Sequence, residues 1–257
     1  MTAQDRNGSV EASLSREGME EIERGQFVLY AFYKLDPAWR LLPGDEQDAG
    51  KDEFVQTVGS FSARVTTRSY SLVGLRADAD LLLWSISPEL DNLQQLGSAI
   101  LSTGLGKYLR VAYSYLAVTK RSIYVRNHRH EGQEGTRLRL RPAGARYLFV
   151  YPFVKTRAWY KLSQPARQGM MNEHIAIGHK YPSVTLNTTY SFGMDDQEFV
   201  VAFETDVPTD FVDLVMELRE TEASLYTLRD TPIFTCIALP LPEALETLGG
   251  VREAVAG

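Results

Sequence analysis

The chain holds one cysteine, Cys236, in 257 residues. No disulfide can form within it, and a reducing, cytoplasmic home is expected. It has no apolar run close to the ~20 residues that a membrane-crossing helix needs, so no membrane span is expected. The stretch Met1–Arg24 lacks the basic start and apolar centre of a secretory signal and reads as a mobile N-terminal arm. Basic charge is not in excess: Lys and Arg number 27 against 33 Asp and Glu, a net charge of -6. That balance gives no reason to expect nucleic acid or an anionic membrane as a partner. Also missing are a phosphate-cradling glycine loop, a zinc-type Cys/His spacing and a serine nucleophile elbow, which removes the commonest nucleotide, zinc and hydrolase readings. His128 and His130 lie two apart in a basic, Gly-rich stretch, a weak metal signal.

What is present is a repeated order of elements. Residues 26–34, rich in aromatic and β-branched side chains, predict a strand. A short helix over 50–60 and strands over 63–76 and 81–86 follow. Ser87 and Pro88 then predict a helix start, N-cap followed by first-turn proline, that runs to Thr103. A fourth strand spans 108–119. After residue 145 the order recurs: a strand over 146–154, a helix opened by Ser163 and Pro165 and stopped by Tyr181-Pro182, strands over 184–192 and 197–204, a helix over 209–226 and a strand over 233–239. Each half reads β-α-β-β-α-β, a split βαβ unit. The expectation is an α+β fold of two tandem ferredoxin-like halves of the dimeric α+β barrel type, with packed antiparallel sheets. The halves cover 25–120 and 146–257. A basic connector at 121–145 carries Arg137, Arg139 and Arg141, with Arg146 just beyond it. One sign of charge there suits an anionic small molecule or simply a solvated loop.

Polar residues on apolar faces mark where chemistry could lie. In the helix ending at Lys180, Met170, His174, Ile177 and Tyr181 share one stripe. A histidine on such a stripe is either a hydrogen-bonded core residue or a ligand to a metal or haem iron. His179 is turned about 140° away, toward solvent. In the helix over 209–226, Glu222 falls on the stripe of Phe211, Leu214, Val215, Leu218 and Leu225. A buried carboxylate needs a partner. An iron-bound imidazole that donates its second N–H to Glu222 would supply one, as would a plain structural His–Glu pair. Tyr151 and Lys155 lie four apart on one face of a strand end, with Trp159 just beyond. Either could be catalytic, although a lone tyrosine more often packs and a lone lysine more often faces water.

Taken together, YPFVKTRAWY, MMNEHIAIG, FGMDDQEF and MELRETEASLY resemble the chlorite dismutase superfamily, in its coproheme decarboxylase branch. The resemblance spans about residues 26–240. It implies two ferredoxin-like halves, a haem or coproheme in the second half, and a homo-pentamer. Chlorite-splitting members carry a distal arginine seven residues before a turn glycine; counting back from Gly193 gives Leu186, flanked by Thr185 and Asn187, which argues against chlorite chemistry. The decarboxylase pattern implies Tyr151 as catalytic tyrosine, Lys155 four residues on, Arg137 and Arg219 as propionate contacts, His174 as the iron ligand and Glu222 as its orienting carboxylate. Trp159, Met170 and Leu186 would line the pocket. The nearest candidate for the distal histidine of actinobacterial relatives is His130, a few residues too early. The implied reaction turns iron coproporphyrin III into haem b with hydrogen peroxide. The alternatives are a haem b protein with peroxidase-like or weak chlorite-degrading activity, and a non-catalytic porphyrin carrier.

Overall fold

The computed structural model describes residues 25–124 and 139–249. The expected N-terminal arm and the part of the connector holding His128, His130 and Arg137 lie outside the described residues. The first half contains β1 (Phe27–Leu35), α1 (Gly44–Ser60), β2 (Thr66–Ser71), β3 (Leu81–Ser87), α2 (Leu90–Ser102) and β4 (Leu109–Val118). The second contains β5 (Tyr147–Lys155), α3 (Arg157–Lys161), α4 (Gln164–Gly178), β6 (Thr185–Tyr190), β7 (Phe199–Thr205), α5 (Pro208–Glu220), β8 (Thr227–Arg229) and β9 (Phe234–Ala238). A last helix, α6, spans Leu241–Glu246.

The predicted repeat is therefore present, and the fold is α+β with two ferredoxin-like halves. The two sheets pack across an interior and also join at both edges. The strand order is β7-β6-β4-β1-β3-β2-β9-β5, and a β5–β7 pairing closes the ring. The seams between halves are narrow: Val118 opposite Tyr190 on one side, Tyr70 and Ser71 opposite Ala238 and Ile237 on the other. Closure pairs edges that two separate sheets would leave open. Strand alternation then sorts side chains inward or outward. Tyr30, Phe32, Trp84, Leu148, Val150, Ala202, Phe234 and Cys236 fill the interior. Phe32 stacks on Phe234 with ring centroids 4.0 Å apart, and Tyr30 on Trp84 at 5.4 Å.

Helices cover the outer face. Over the first half, Phe54 of α1 and Leu93, Leu96 and Ile100 of α2 pack on Ala31, Tyr33, Leu81 and Leu83. The buried ammonium of Lys51 on α1 meets the Glu246 carboxylate at 2.9 Å and ties α6 down.

Local differences from expectation have physical causes. Ser87 does not cap α2. The cap position is Glu89, while the Ser87 hydroxyl accepts from the Glu89 and Asn92 nitrogens, each at 3.2 Å, and donates to the Arg64 carbonyl at 3.0 Å. Ser163 does cap α4, accepting from the Ala166 N–H at 3.4 Å. α5 ends at Glu220, six residues early, because hydroxyls compete for its last carbonyls: Thr221 donates to Leu218 O and Ser224 to Arg219 O, both at 2.8 Å. Residues Glu222–Tyr226 form a separate 3-10 turn. The expectation that Glu222 and Leu225 continue a buried helical stripe is thereby corrected. Glu222 is exposed and Leu225 is 77% exposed.

Candidate functional site

Register builds the site on the outer face of the second half. Residues 149, 151 and 153 of β5 sit opposite 203, 201 and 199 of β7, which in turn sit opposite 186, 188 and 190 of β6. The result is a three-by-three grid of side chains. Its first row, Phe149–Phe203–Leu186, is mostly closed: Phe211 of α5 stacks on Phe149 at 4.1 Å, Leu214 packs beside it, and only Leu186 keeps 40% exposure. The second and third rows, Tyr151–Val201–Thr188 and Phe153–Phe199–Tyr190, are half-buried or open. Tyr151 stacks on Phe203, centroids 6.1 Å apart.

α4 lies over this grid. Its C-terminal end is anchored because Ile177 and the following Tyr181 and Val184 join the Phe149–Phe203 cluster. Tyr181 also donates to Glu217 at 2.6 Å. No residue of α4 is fully buried. His174, one turn before the anchor, is half-buried. Burial, with a further contribution from the Lys155 charge, lowers its pKa to about 4, so the imidazole is neutral across the physiological range. Met170 stands one turn further on, half-buried; His179 is exposed, as its position on the helix predicts.

Lys155 closes one end. Its Nζ donates to the Ala223 carbonyl at 2.8 Å and lies 4.7 Å from the centroid of the buried Trp159 ring. Burial lowers its pKa to about 8. Its position is fixed through the backbone, since the Lys155 N–H donates to Glu198 Oε2 at 2.8 Å and Tyr160 OH donates to the same oxygen at 2.5 Å. Trp159 in turn touches Tyr226 and Tyr124, with centroids 5.5 and 6.4 Å away.

At the other side, Arg219 in the last turn of α5 pairs with Asp230, the residue after β8. Tyr151 senses both. Its phenol pKa is raised, first by burial and then by Asp230, with Arg219 pulling the other way. The structure thus gathers Tyr151, Lys155, Trp159, Met170, His174, Leu186 and Arg219 around one face. Glu222 lies nearby in sequence to Ala223 but is exposed, and among the described residues it makes no hydrogen bond to His174. Arg141 and Arg146 are exposed; Arg146 covers the Tyr147 ring at 5.5 Å.

Two further residues belong here that sequence reasoning missed. Arg167 is seven residues before His174, hence on the same helical stripe. Its Nε is buried with no hydrogen-bond partner among the described residues. The spacing alone marks it. Asp230 carried no such signal, because only the β8–β5 pairing brings it to Tyr151.

These residues form a hydrophobic, aromatic face with a neutral imidazole on the helix across it and cations at its margins. The chlorite dismutase family model matches residues 47–239, and the chain belongs to that family. Within it, the chain is 32% identical over 167 residues to a coproheme decarboxylase of Mycolicibacterium smegmatis, covering 65% of this chain and 70% of that protein. Among solved structures, chlorite dismutase from Candidatus Nitrospira defluvii in complex with imidazole superposes with a TM-score of 0.79 at 28% identity, over 89% of this chain and 98% of that one. A haem-binding protein from Thermus thermophilus superposes with a TM-score of 0.77 at 26% identity, over 87% and 94% of the two chains. No helix among the described residues is long and apolar enough to cross a membrane.

Proposed function

We propose that this protein is a coproheme decarboxylase that converts iron coproporphyrin III into haem b with hydrogen peroxide. The observation that carries the reading is the placement of Tyr151: it shares one open sheet face with Lys155, faces the helix that bears a neutral His174, and has Arg219 beside it. The residues present fit an iron porphyrin with peripheral carboxylates. A neutral imidazole offers a lone pair to iron, half-buried aromatic side chains suit a flat macrocycle, and the unpartnered Arg167 Nε is a donor in want of an acceptor. Curated likeness to a coproheme decarboxylase supports the same reading.

Bound with peroxide, the iron porphyrin supplies the oxidising power. The chain's own residues then do the following. His174 would hold the iron through its neutral imidazole. Arg219 and Lys155, with Arg137 as the family resemblance implies, would hold propionates by charge-assisted hydrogen bonds and fix the ring's rotation. Tyr151, having given up its phenolic hydrogen, takes a hydrogen atom from the β-carbon of the propionate beside it. That propionate would then lose carbon dioxide and one further electron, leaving a vinyl group; this electron and the hydrogen that Tyr151 gave up would both go to hydrogen peroxide, one molecule of which, with a further proton, becomes two waters. Two such events remove two carboxyl groups. Trp159, Met170 and Leu186 form walls and exclude water. Leu186 stands where the chlorite-splitting pattern calls for an arginine, so that cation is missing from this sheet face. Glu222 would orient the imidazole of His174 once the ligand is in place. We further propose a division into the two halves and connector given above, a cytoplasmic location and a homo-pentamer.

The test is to add iron coproporphyrin III to the purified protein, titrate hydrogen peroxide and follow products by mass spectrometry. Stepwise loss of two carboxyl groups is expected, reduced at least ~100-fold in Tyr151→Phe, which still binds the porphyrin. Binding without decarboxylation by the unaltered chain would favour a haem b enzyme or a carrier instead. His174→Ala is expected to lose the spectrum of a histidine-ligated ferric porphyrin; an unchanged spectrum removes His174 as the ligand.

A further inference from the structure

We propose that Asp230 is an internal counter-anion that competes with a ligand carboxylate for Arg219, so that the pocket holds a porphyrin that keeps the carboxylate beside Tyr151 less tightly than the free cation would, while one that has lost it leaves the pair intact. This deepens the decarboxylase reading and rests on it.

Three observations support the assignment. The first is placement. Asp230 directly follows β8, and β8 is paired to the end of β5 through Val154–Arg229 and Lys155–Thr227. The strand that carries Tyr151 therefore positions Asp230, and both members of the Arg219–Asp230 pair act on the Tyr151 phenol. The second is accessibility. The Arg219 side chain is 52% exposed while that of Asp230 is 17% exposed, so the cation faces outward and its anion is set back behind it. The third is what Asp230 does not do. Other shielded carboxylates of this chain clamp the backbone: Asp80 accepts from Leu35 N, Glu198 from Lys155 N, and Glu204 from Ala143 N and Gly144 N, at 2.8 to 2.9 Å. Among the described residues, Arg219 is the only hydrogen-bonding or ion-pair partner of Asp230. A carboxylate held by one half-exposed guanidinium is exchangeable rather than architectural.

One guanidinium beside two carboxylates neutralises only one of them in full. An arriving propionate thus has to displace Asp230. Once that propionate has become a vinyl group, it has no claim on the cation, and Arg219 returns to Asp230. The exchange weakens the grip on the substrate carboxylate and leaves that on the product nearly unchanged, because the internal pair is broken by the first and kept by the second.

The test is a Soret titration of iron coproporphyrin III and of haem b into the wild-type chain, Asp230→Asn, Arg219→Ala and the double variant, with melting curves for each. Asp230→Asn is expected to bind iron coproporphyrin III about fivefold more tightly and haem b less than about twofold more tightly. That gain is expected to vanish in the Arg219→Ala background, since the coupling runs through the guanidinium. Asp230→Glu, which keeps the charge, should stay near the wild-type ratio, and Asp230→Ser serves as a second neutral variant if Asp230→Asn does not fold. Equal gains for both porphyrins, a gain that survives in Arg219→Ala, or no gain in a folded neutral variant would each overturn the proposal. Failure of the wild-type chain to bind either porphyrin would overturn the functional reading and this proposal with it. Normal decarboxylation without the coupling removes the proposal alone.

Discussion

α1 and α4 occupy the same place in the two halves, each lying between the first and second strands of its repeat, yet they pack differently. α1 buries Gln47, Gly50, Lys51 and Phe54, and β3, which shares a core cluster with Phe54, is buried along its whole length. α4 buries no residue fully, and the strands beneath it alternate between buried and half-open positions. The difference lies between helix and sheet: a cluster of fully buried side chains in the first half, and in the second half the half-buried Tyr151, Val201 and Phe199. Two repeats of one element order thus differ in closure: one half is sealed by its own side chains, and the other leaves a half-buried face under its helix.

The largest expected effect that would break this comparison concerns stability. Phe54→Ala should cost about 3–5 kcal/mol, since it empties a fully buried site, whereas Met170→Ala on α4 should cost about 1 kcal/mol or less. Urea unfolding of the two variants measures this, and equal losses would mean that α4 is packed as tightly as α1. Next in size is the response to ligand. Without porphyrin, backbone amides of α4 should exchange with deuterium faster than those of α1. Iron coproporphyrin III at 100-fold above its dissociation constant should stabilise the fold by about 2.7 kcal/mol and slow exchange mainly in α4. Protection that rises equally in both helices would put the ligand elsewhere.

Two smaller effects sharpen it through pH. The Lys155 ammonium has its pKa lowered to about 8, so it loses its charge as pH rises from 7 to 9. Affinity for the anionic porphyrin should fall severalfold over that range (about 1 kcal/mol for one partly screened charge), and the fall should flatten in Lys155→Gln. His174 acts on stability. Its folded value, about 4, lies below the unfolded ~6.5, so the unfolded chain takes up the proton first as pH falls. Stability contributed by neutral His174 is therefore complete above pH ~6.5 and is lost progressively down to about pH 4. In His174→Leu that part of the acid slope should disappear; an unchanged slope would mean that His174 is not shielded.

Much of this organisation was legible in the residues. Strand periodicity and the Ser163 cap predicted the second half closely, and the α4 stripe named His174 and Met170. Spacing on β5 named Tyr151 and Lys155. Closure of the sheet was not legible, because it depends on two seams of one and two residue pairs, and pairing that sparse leaves no pattern in either strand. The end of α5 was missed for a different reason. Leu218, Glu222 and Leu225 keep helical spacing, but the hydroxyls of Thr221 and Ser224 capture the carbonyls that would have continued the helix. Periodicity reports which residues could share a face, not whether the backbone reaches them. Asp230 escaped notice because its meaning is wholly tertiary.

The closed barrel has one more consequence, for how the molecule ages. Cys236 is sealed within it at 0% exposure, and burial pushes its thiol well above the usual range. Oxidants attack the thiolate, which this residue withholds. In a protein read as a consumer of peroxide, the sole thiol is thus kept out of the reaction. Damage should instead accumulate as sulfoxides on the exposed Met194 and Met216, where a polar oxygen can be tolerated without disturbing the interior.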